Sequence, residues 1–147
     1  MKNDVDVKVY YAKSKKIDGT QILNKEHCEK VAKLAEKFGK VFACRDEARV
    51  AGYMHDFGKY SDRFQGVLNG THKYIDHAIC GAAFLNYIIR NIDWKPYIPI
   101  IEAINGHHDG LVSFGELKTY LEESIMSDNP VVFNNNKTAA LAGKWEY

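Results

Sequence analysis

The sequence predicts one mostly α-helical domain with a short β element near its N terminus. Three observations carry that expectation. Apolar residues recur at three- and four-residue spacing in several separate stretches, while only "VDVKVYY" at the start alternates every second residue. The chain has 147 residues, 46% of them apolar, and a net charge of +1, which suits one domain with a sizeable core and argues against disorder. Glycines fall where the helical patterns stop.

Each element follows from local residues. Val5, Val7 and Val9 alternate with charges and suggest the strand, and "KSKKIDGTQ" reads as a loop. A first helix begins at Asn24, with Val31, Leu34, Ala35 and Phe38 on one inward face and Gly39 as its stop. His27, four residues before Val31, shares that face. A second helix is expected from Asp46 to Phe57, ended by Gly58. Its Ala48, Ala51 and Gly52 share a face with His55, so another helix can approach closely. A third begins near Asp76 and runs through "HAICGAAFLNYIIR". A fourth follows Pro99, carries "IIEAI" and stops at Gly106. Ser113 and Glu116 form a capping-box pattern that opens a last helix through Leu117, Tyr120, Leu121 and Ile125. Residues 134–147 read as a polar tail on the single domain 1–147.

Composition narrows the class. The charged start lacks the apolar segment of a signal peptide, and the longest mostly apolar run, "AICGAAFLNYII", is too short to span a bilayer. No membrane partner is expected. Cys28, Cys44 and Cys80 are odd in number, widely spaced and without a C-x-x-C pair, as reduced thiols of a cytoplasmic protein are. The balanced charge gives no strong preference for nucleic acid, although lysines gather in the first forty residues. No G-x-x-x-x-G-K-[ST] loop is present, so the chain cannot drive unwinding with a nucleoside triphosphate itself.

The histidines carry the chemistry. His27 lies in the first turn of the first helix, His55 ends the second, His77 starts the third, and His107 and His108 follow the fourth. A lone histidine on an apolar face is more often a hydrogen-bonded core residue than a ligand. The joint placement at helix ends changes that weighting, because such ends can converge on one point. Imidazoles with a carboxylate, Asp56, suit a divalent transition metal, and the two oxygens of Asp56 can bridge two ions. His72, in "NGTHKY", reads as a solvated outsider. Lys59 reads either as a charge beside the site or as a helix-end lysine. Tyr60, Arg63, Phe64 and Gln65 read either as one wall of a single-strand groove, with aromatic stacking and an arginine for phosphate, or as packing with ordinary surface charge.

The order His27, His55-Asp56, Lys59, His77, His107-His108 resembles the HD superfamily of metal-dependent phosphohydrolases. "YYAKS", "HDFGKYSDRFQ", "DHAICGAAF" and "GHHDGL" are similar to the HD nuclease domain of the CRISPR-associated helicase–nuclease of type I systems. The resemblance implies a helical HD bundle. It implies His27 and His55 on a first ion, His77, His107 and His108 on a second, and Asp56 bridging both. It implies Lys59 as a catalytic and substrate-binding charge, with Arg63 also on substrate. The expected cofactors are one or two divalent ions, from Mn, Fe, Co or Ni, with Mg as a further option. The expected partners are single-stranded DNA, a superfamily-two helicase in cis or in trans, and the CRISPR DNA-targeting complex of antiviral defence. The family's late aspartate has no counterpart here: Asp109 and Asp128 are the only aspartates after the double histidine. The chain is therefore expected to be shortened at its C terminus, with an incomplete first metal site for which Asp109 is the one nearby substitute. Two other functions fit the same residues: a phosphohydrolase of nucleotides or small phosphoesters, and an inactive docking module.

Overall fold

The computed structural model describes residues 8–89 and 91–126. The Val5 and Val7 part of the expected strand, Asp128 and the 134–147 tail lie outside the described residues. The described part is helical, as expected. Its β content is one isolated antiparallel bridge between Tyr11 and Leu23, flanked by bonds from Ala12 N to Ile22 O (2.9 Å) and from Asn24 N to Tyr10 O (2.9 Å). Among the described residues, no helix is long and apolar enough to cross a membrane.

Helices α1 (Asn24–Gly39) and α2 (Arg45–Met54) pack through small residues. A Cβ on Gly52 would lie 2.6 Å from Ala32 Cα, and one on Gly39 would lie 2.7 Å from Ala48 Cβ, so the two backbones touch in opposite running order. The inward stripe of α1 differs from the expected one. It is formed by Asn24, Cys28, Ala32 and Gly39, while Leu34 and Phe38 remain 53% and 59% exposed. The close approach expected from the small residues of α2 requires small residues on the facing stripe of α1 as well, which leaves its large apolar side chains outside the contact.

Helix α2 ends at Met54, three residues before the expected end, and the chain tightens into a 3-10 turn over Phe57–Tyr60. The Asp56 carbonyl accepts from Lys59 N (3.0 Å) and from the buried Asn24 Nδ2 (3.2 Å), which holds this tighter winding. An additional helix, α3 (Asp62–Leu68), was not anticipated. Ser61 caps it by accepting from Phe64 N at 3.2 Å, but seven residues are too few to display a period. Helix α4 (Ala78–Ile89) starts two residues late, because Asp76 Oδ1 accepts from Ala78 N (2.9 Å) and so stands outside it.

Helix α4 is the central element, with Ala78, Cys80, Gly81, Ala82, Ala83, Leu85 and Ile89 buried. A Cβ at Gly81 would lie 2.3 Å from Met54 O, so the end of α2 rests directly on it. Helix α5 (Ile98–Asn105) contributes Ile100, Ile101 and Ile104 to the core, where Phe57 stacks on Phe84 at 4.4 Å. Helix α6 (Phe114–Met126) opens with the reciprocal cap expected from sequence: Glu116 N donates to Ser113 Oγ (3.3 Å) and Ser113 N to Glu116 Oε2 (2.9 Å). It buries Leu117 and Leu121.

Candidate metal centre

Four helix ends deliver their polar residues to one buried carboxylate. Asp56 is 2% exposed and lies between α2 and the 3-10 turn. Its Oδ2 lies 3.0 Å from His27 Nε2, 3.2 Å from His55 Nε2 and 2.8 Å from Lys59 Nζ. Its Oδ1 lies 3.1 Å from His77 Nε2 and 3.5 Å from His107 Nε2. His108 joins through His77, Nε2 to Nε2, at 2.9 Å. Two ligand groupings result, each compact enough to hold an ion: His27, His55 and Asp56 on one side, and Asp56, His77, His107 and His108 on the other.

Backbone bonds aim the rings. His55 Nδ1 donates to Gly52 O at 2.8 Å, and His107 Nδ1 donates to Ile104 O at 2.7 Å. Each bond fixes the tautomer whose Nε2 lone pair points at Asp56. The loop Gly106–Gly110 turns back on itself, with Gly110 N bonded to Gly106 O at 2.9 Å and Gly110 at φ +88°, and so presents two consecutive histidines. A Cβ at Gly58 would lie 2.4 Å from His77 O, so the glycine allows His77 to sit against the 3-10 turn.

This donor set fits a divalent cation. His107 Nε2 is buried and has no hydrogen-bond partner. His55 Nε2 and Asp56 Oδ2 are two acceptors only 3.2 Å apart. Such pairs repel unless a proton or a metal ion lies between them. Burial is the largest influence on Asp56 and opposes its ionisation, but the surrounding His107, His55 and His77 imidazoles outweigh it and hold the carboxyl far below its usual range. Burial pushes the His27 imidazole down, against the pull of Asp56, so it is neutral and able to ligate at neutral pH. Burial likewise lowers His108, with His107 and His77 adding to the effect. His107 is raised: its burial is outweighed by Asp56 and the Ile104 carbonyl.

The other expected site residues divide. Lys59 Nζ is buried and donates to both Asp56 Oδ2 (2.8 Å) and Ala12 O (3.3 Å), 5.3 Å from the Phe64 ring centroid. Arg63 is half-buried on α3, with no ion pair among the described residues. Tyr60 and Phe64 are 8% and 7% exposed, so they pack rather than offer a stacking wall. His72 is exposed and stays out of the cluster, as expected. Asp109 is exposed and belongs to neither ligand grouping. Two residues take supporting roles that the sequence did not suggest: Asn24, expected only as a helix start, and Gln65, expected as groove wall or packing. Asn24 holds the Asp56 carbonyl. Gln65 clasps Tyr11, its Oε1 accepting from Tyr11 N and its Nε2 donating to Tyr11 O, both at 3.0 Å. The "FQ" after the His-Asp core was the available signal for Gln65. Asn24 reads locally as a helix start and gave none.

A cavity of about 410 Å³ lies elsewhere, lined by Trp94, Ile98, Phe114, Leu117 and neighbours. It shares no residue with the cluster, so it is not where a phosphoester would react.

A helical bundle whose helix ends present four histidines to one buried aspartate, with a fifth histidine beside them, is the architecture of a metal-dependent phosphohydrolase. The HD domain family matches residues 24–129, and the chain belongs to that family. No curated protein and no solved structure matches the chain. HD domains bind divalent metals, and the cluster around Asp56 is compatible with that chemistry.

Proposed function

We propose that the chain is a metal-dependent nuclease that hydrolyses phosphodiester bonds of single-stranded DNA in type I CRISPR interference. It would act in the cytoplasm beside a superfamily-two helicase and the DNA-targeting complex. One observation carries the hydrolase part: each oxygen of Asp56 faces its own set of imidazole nitrogens, 3.0 to 3.5 Å away. The DNA and CRISPR part is supported by the resemblance of "YYAKS", "HDFGKYSDRFQ", "DHAICGAAF" and "GHHDGL".

His77, His107, His108 and Asp56 would hold one ion, and His27, His55 and Asp56 a second. The nitrogen-rich set favours Mn, Fe, Co or Ni over Mg. Divalent ions bound there supply Lewis acidity toward the phosphoryl oxygens and a water acidic enough to attack near neutral pH. The chain's own residues do the rest. Asp56 stays ionised and ties the two ligand sets together. Gly52 O and Ile104 O keep His55 and His107 in the ligating tautomer. Lys59 places a positive charge beside Asp56, where an incoming phosphate adds negative charge. Arg63 on α3, without an ion pair among the described residues, would supply a guanidinium for a second phosphate contact.

The test is cleavage of a labelled single-stranded oligonucleotide by the purified chain with manganese or nickel, with Asp56→Asn as the control. Metal-dependent cleavage that vanishes in the control is expected. No cleavage with any of the four preferred metals, despite bound ion, overturns the nuclease reading. A second reading, a docking module without activity, is favoured by one observation: the Lys59 ammonium already contacts Asp56 Oδ2, the oxygen a first ion needs.

A further inference from the structure

The loop from Ala12 to Ile22 is fastened to the metal centre at its base and carries its free charge outward. Gln65 grips both backbone groups of Tyr11, and its Nε2 also donates to Lys59 O at 2.8 Å. Lys59 Nζ joins Ala12 O to Asp56 Oδ2, so a single ammonium separates the loop from the bridging carboxylate. Ser14 Oγ donates to Leu68 O at 3.3 Å. The tip is closed by Gly19 N to Lys16 O (2.9 Å) and Lys16 N to Thr20 O (3.0 Å), with Gly19 at φ +85°.

Lys13, Lys15 and Lys16 are exposed on this loop, and among the described residues none makes an ion pair. The loop's one carboxylate, Asp18, is occupied locally: its Oδ1 accepts from Thr20 N (2.9 Å) and Thr20 Oγ1 (2.7 Å). Lys13, Lys15 and Lys16 fall within four residues, a backbone span of at most about 10 Å. They suit a row of phosphates.

We propose that this loop is a binding rim for a single-stranded polynucleotide, engaging phosphates that flank the one at the metal centre. The inference rests on the nuclease reading and adds to it the place where the strand beyond the reacting phosphate is held. Counter-ions released from a single strand should give a salt dependence of about 0.7 in log K per log salt for each phosphate neutralised.

The experiment is fluorescence anisotropy of a labelled 20-nucleotide oligo-dT with the full chain in chelator, so that no hydrolysis intervenes. Lys13→Ala/Lys15→Ala/Lys16→Ala should weaken binding about tenfold at 50 mM salt and cut the salt slope by about two. Lys33→Ala/Lys37→Ala/Lys40→Ala, on α1 and just beyond its C-terminal end, removes the same charge from a different face and should leave binding within twofold. Gln65→Ala keeps every charge but releases the loop, and should lose several-fold affinity. Undetectable binding by the unaltered chain, an unchanged slope in the first variant, or an equal loss in the second overturns the rim. Unchanged affinity in Gln65→Ala overturns the claim that the clasp holds the loop for the strand. Hydrolysis of bis(p-nitrophenyl) phosphate by the unaltered chain with manganese decides the hydrolase part of that reading separately.

Discussion

The two oxygens of Asp56 meet different surroundings. On the Oδ1 side three histidines gather, and one of them, His107, presents a buried nitrogen with no hydrogen-bond partner. On the Oδ2 side there are two histidines and an ammonium, Lys59, at 2.8 Å. An orphaned imidazole nitrogen attracts a cation, while a resident ammonium repels one. One carboxylate can therefore present a tight site and a weak one, and the difference lies in its neighbours rather than in its own charge.

The largest effect belongs to the shared group. Asp56→Asn preserves shape but removes the charge from both sides. Manganese affinity measured by calorimetry should fall more than about a hundredfold on each, since losing only a supporting contact to a ligand already approaches that figure. An asparagine variant that still binds one ion tightly would break the idea of a shared bridge. His107→Ala comes next: the tighter ion should weaken about a hundredfold while the weaker one changes little, and His27→Ala should do the reverse. Equal losses from the two substitutions would show one merged site instead of two. Lys59→Met sharpens the contrast directly. Removing the ammonium should tighten the Oδ2-side ion about tenfold, as expected for losing one nearby like charge, while turnover falls. Unchanged stoichiometry in a metal titration would show that Lys59 does not limit that side. The smallest effect is pH. Protons compete with metal for imidazole, so affinity falls as pH falls. His107 is raised and His27 lowered, so His107 takes up its proton first on acidification. Between pH 7.5 and 6.0 the Oδ1-side affinity should drop several-fold more than the Oδ2-side affinity. The opposite order in paired titrations would count against the assigned environments.

The exposed face of α1 shows where local reading ran out. Leu34 and Phe38 keep the helical period yet face outward, because α1 meets α2 through Ala32 and Gly52, and periodicity does not rank small residues. The late start of α4 and the unanticipated α3 have a similar cause: single side-chain caps, Asp76 and Ser61, decide ends that the apolar pattern blurs. The cap at Ser113 was legible because both of its partners lie within one turn.

By itself, the sequence determined the helical class, the ends where histidines stand, and the identity of the six residues that meet at the centre. Those signals are local: a glycine stop, a cap or a helical period involves residues only a few positions apart. Tertiary structure alone decided which oxygen of Asp56 each histidine faces, that Lys59 contacts Ala12 as well as Asp56, and that Gln65 ties Tyr11 to the site. The last two contacts join residues 47 and 54 positions apart, and the His108–His77 contact residues 31 apart. At such separations no local periodicity or cap operates, and the packing of α1 on α2, and of α2 on α4, sets the distance.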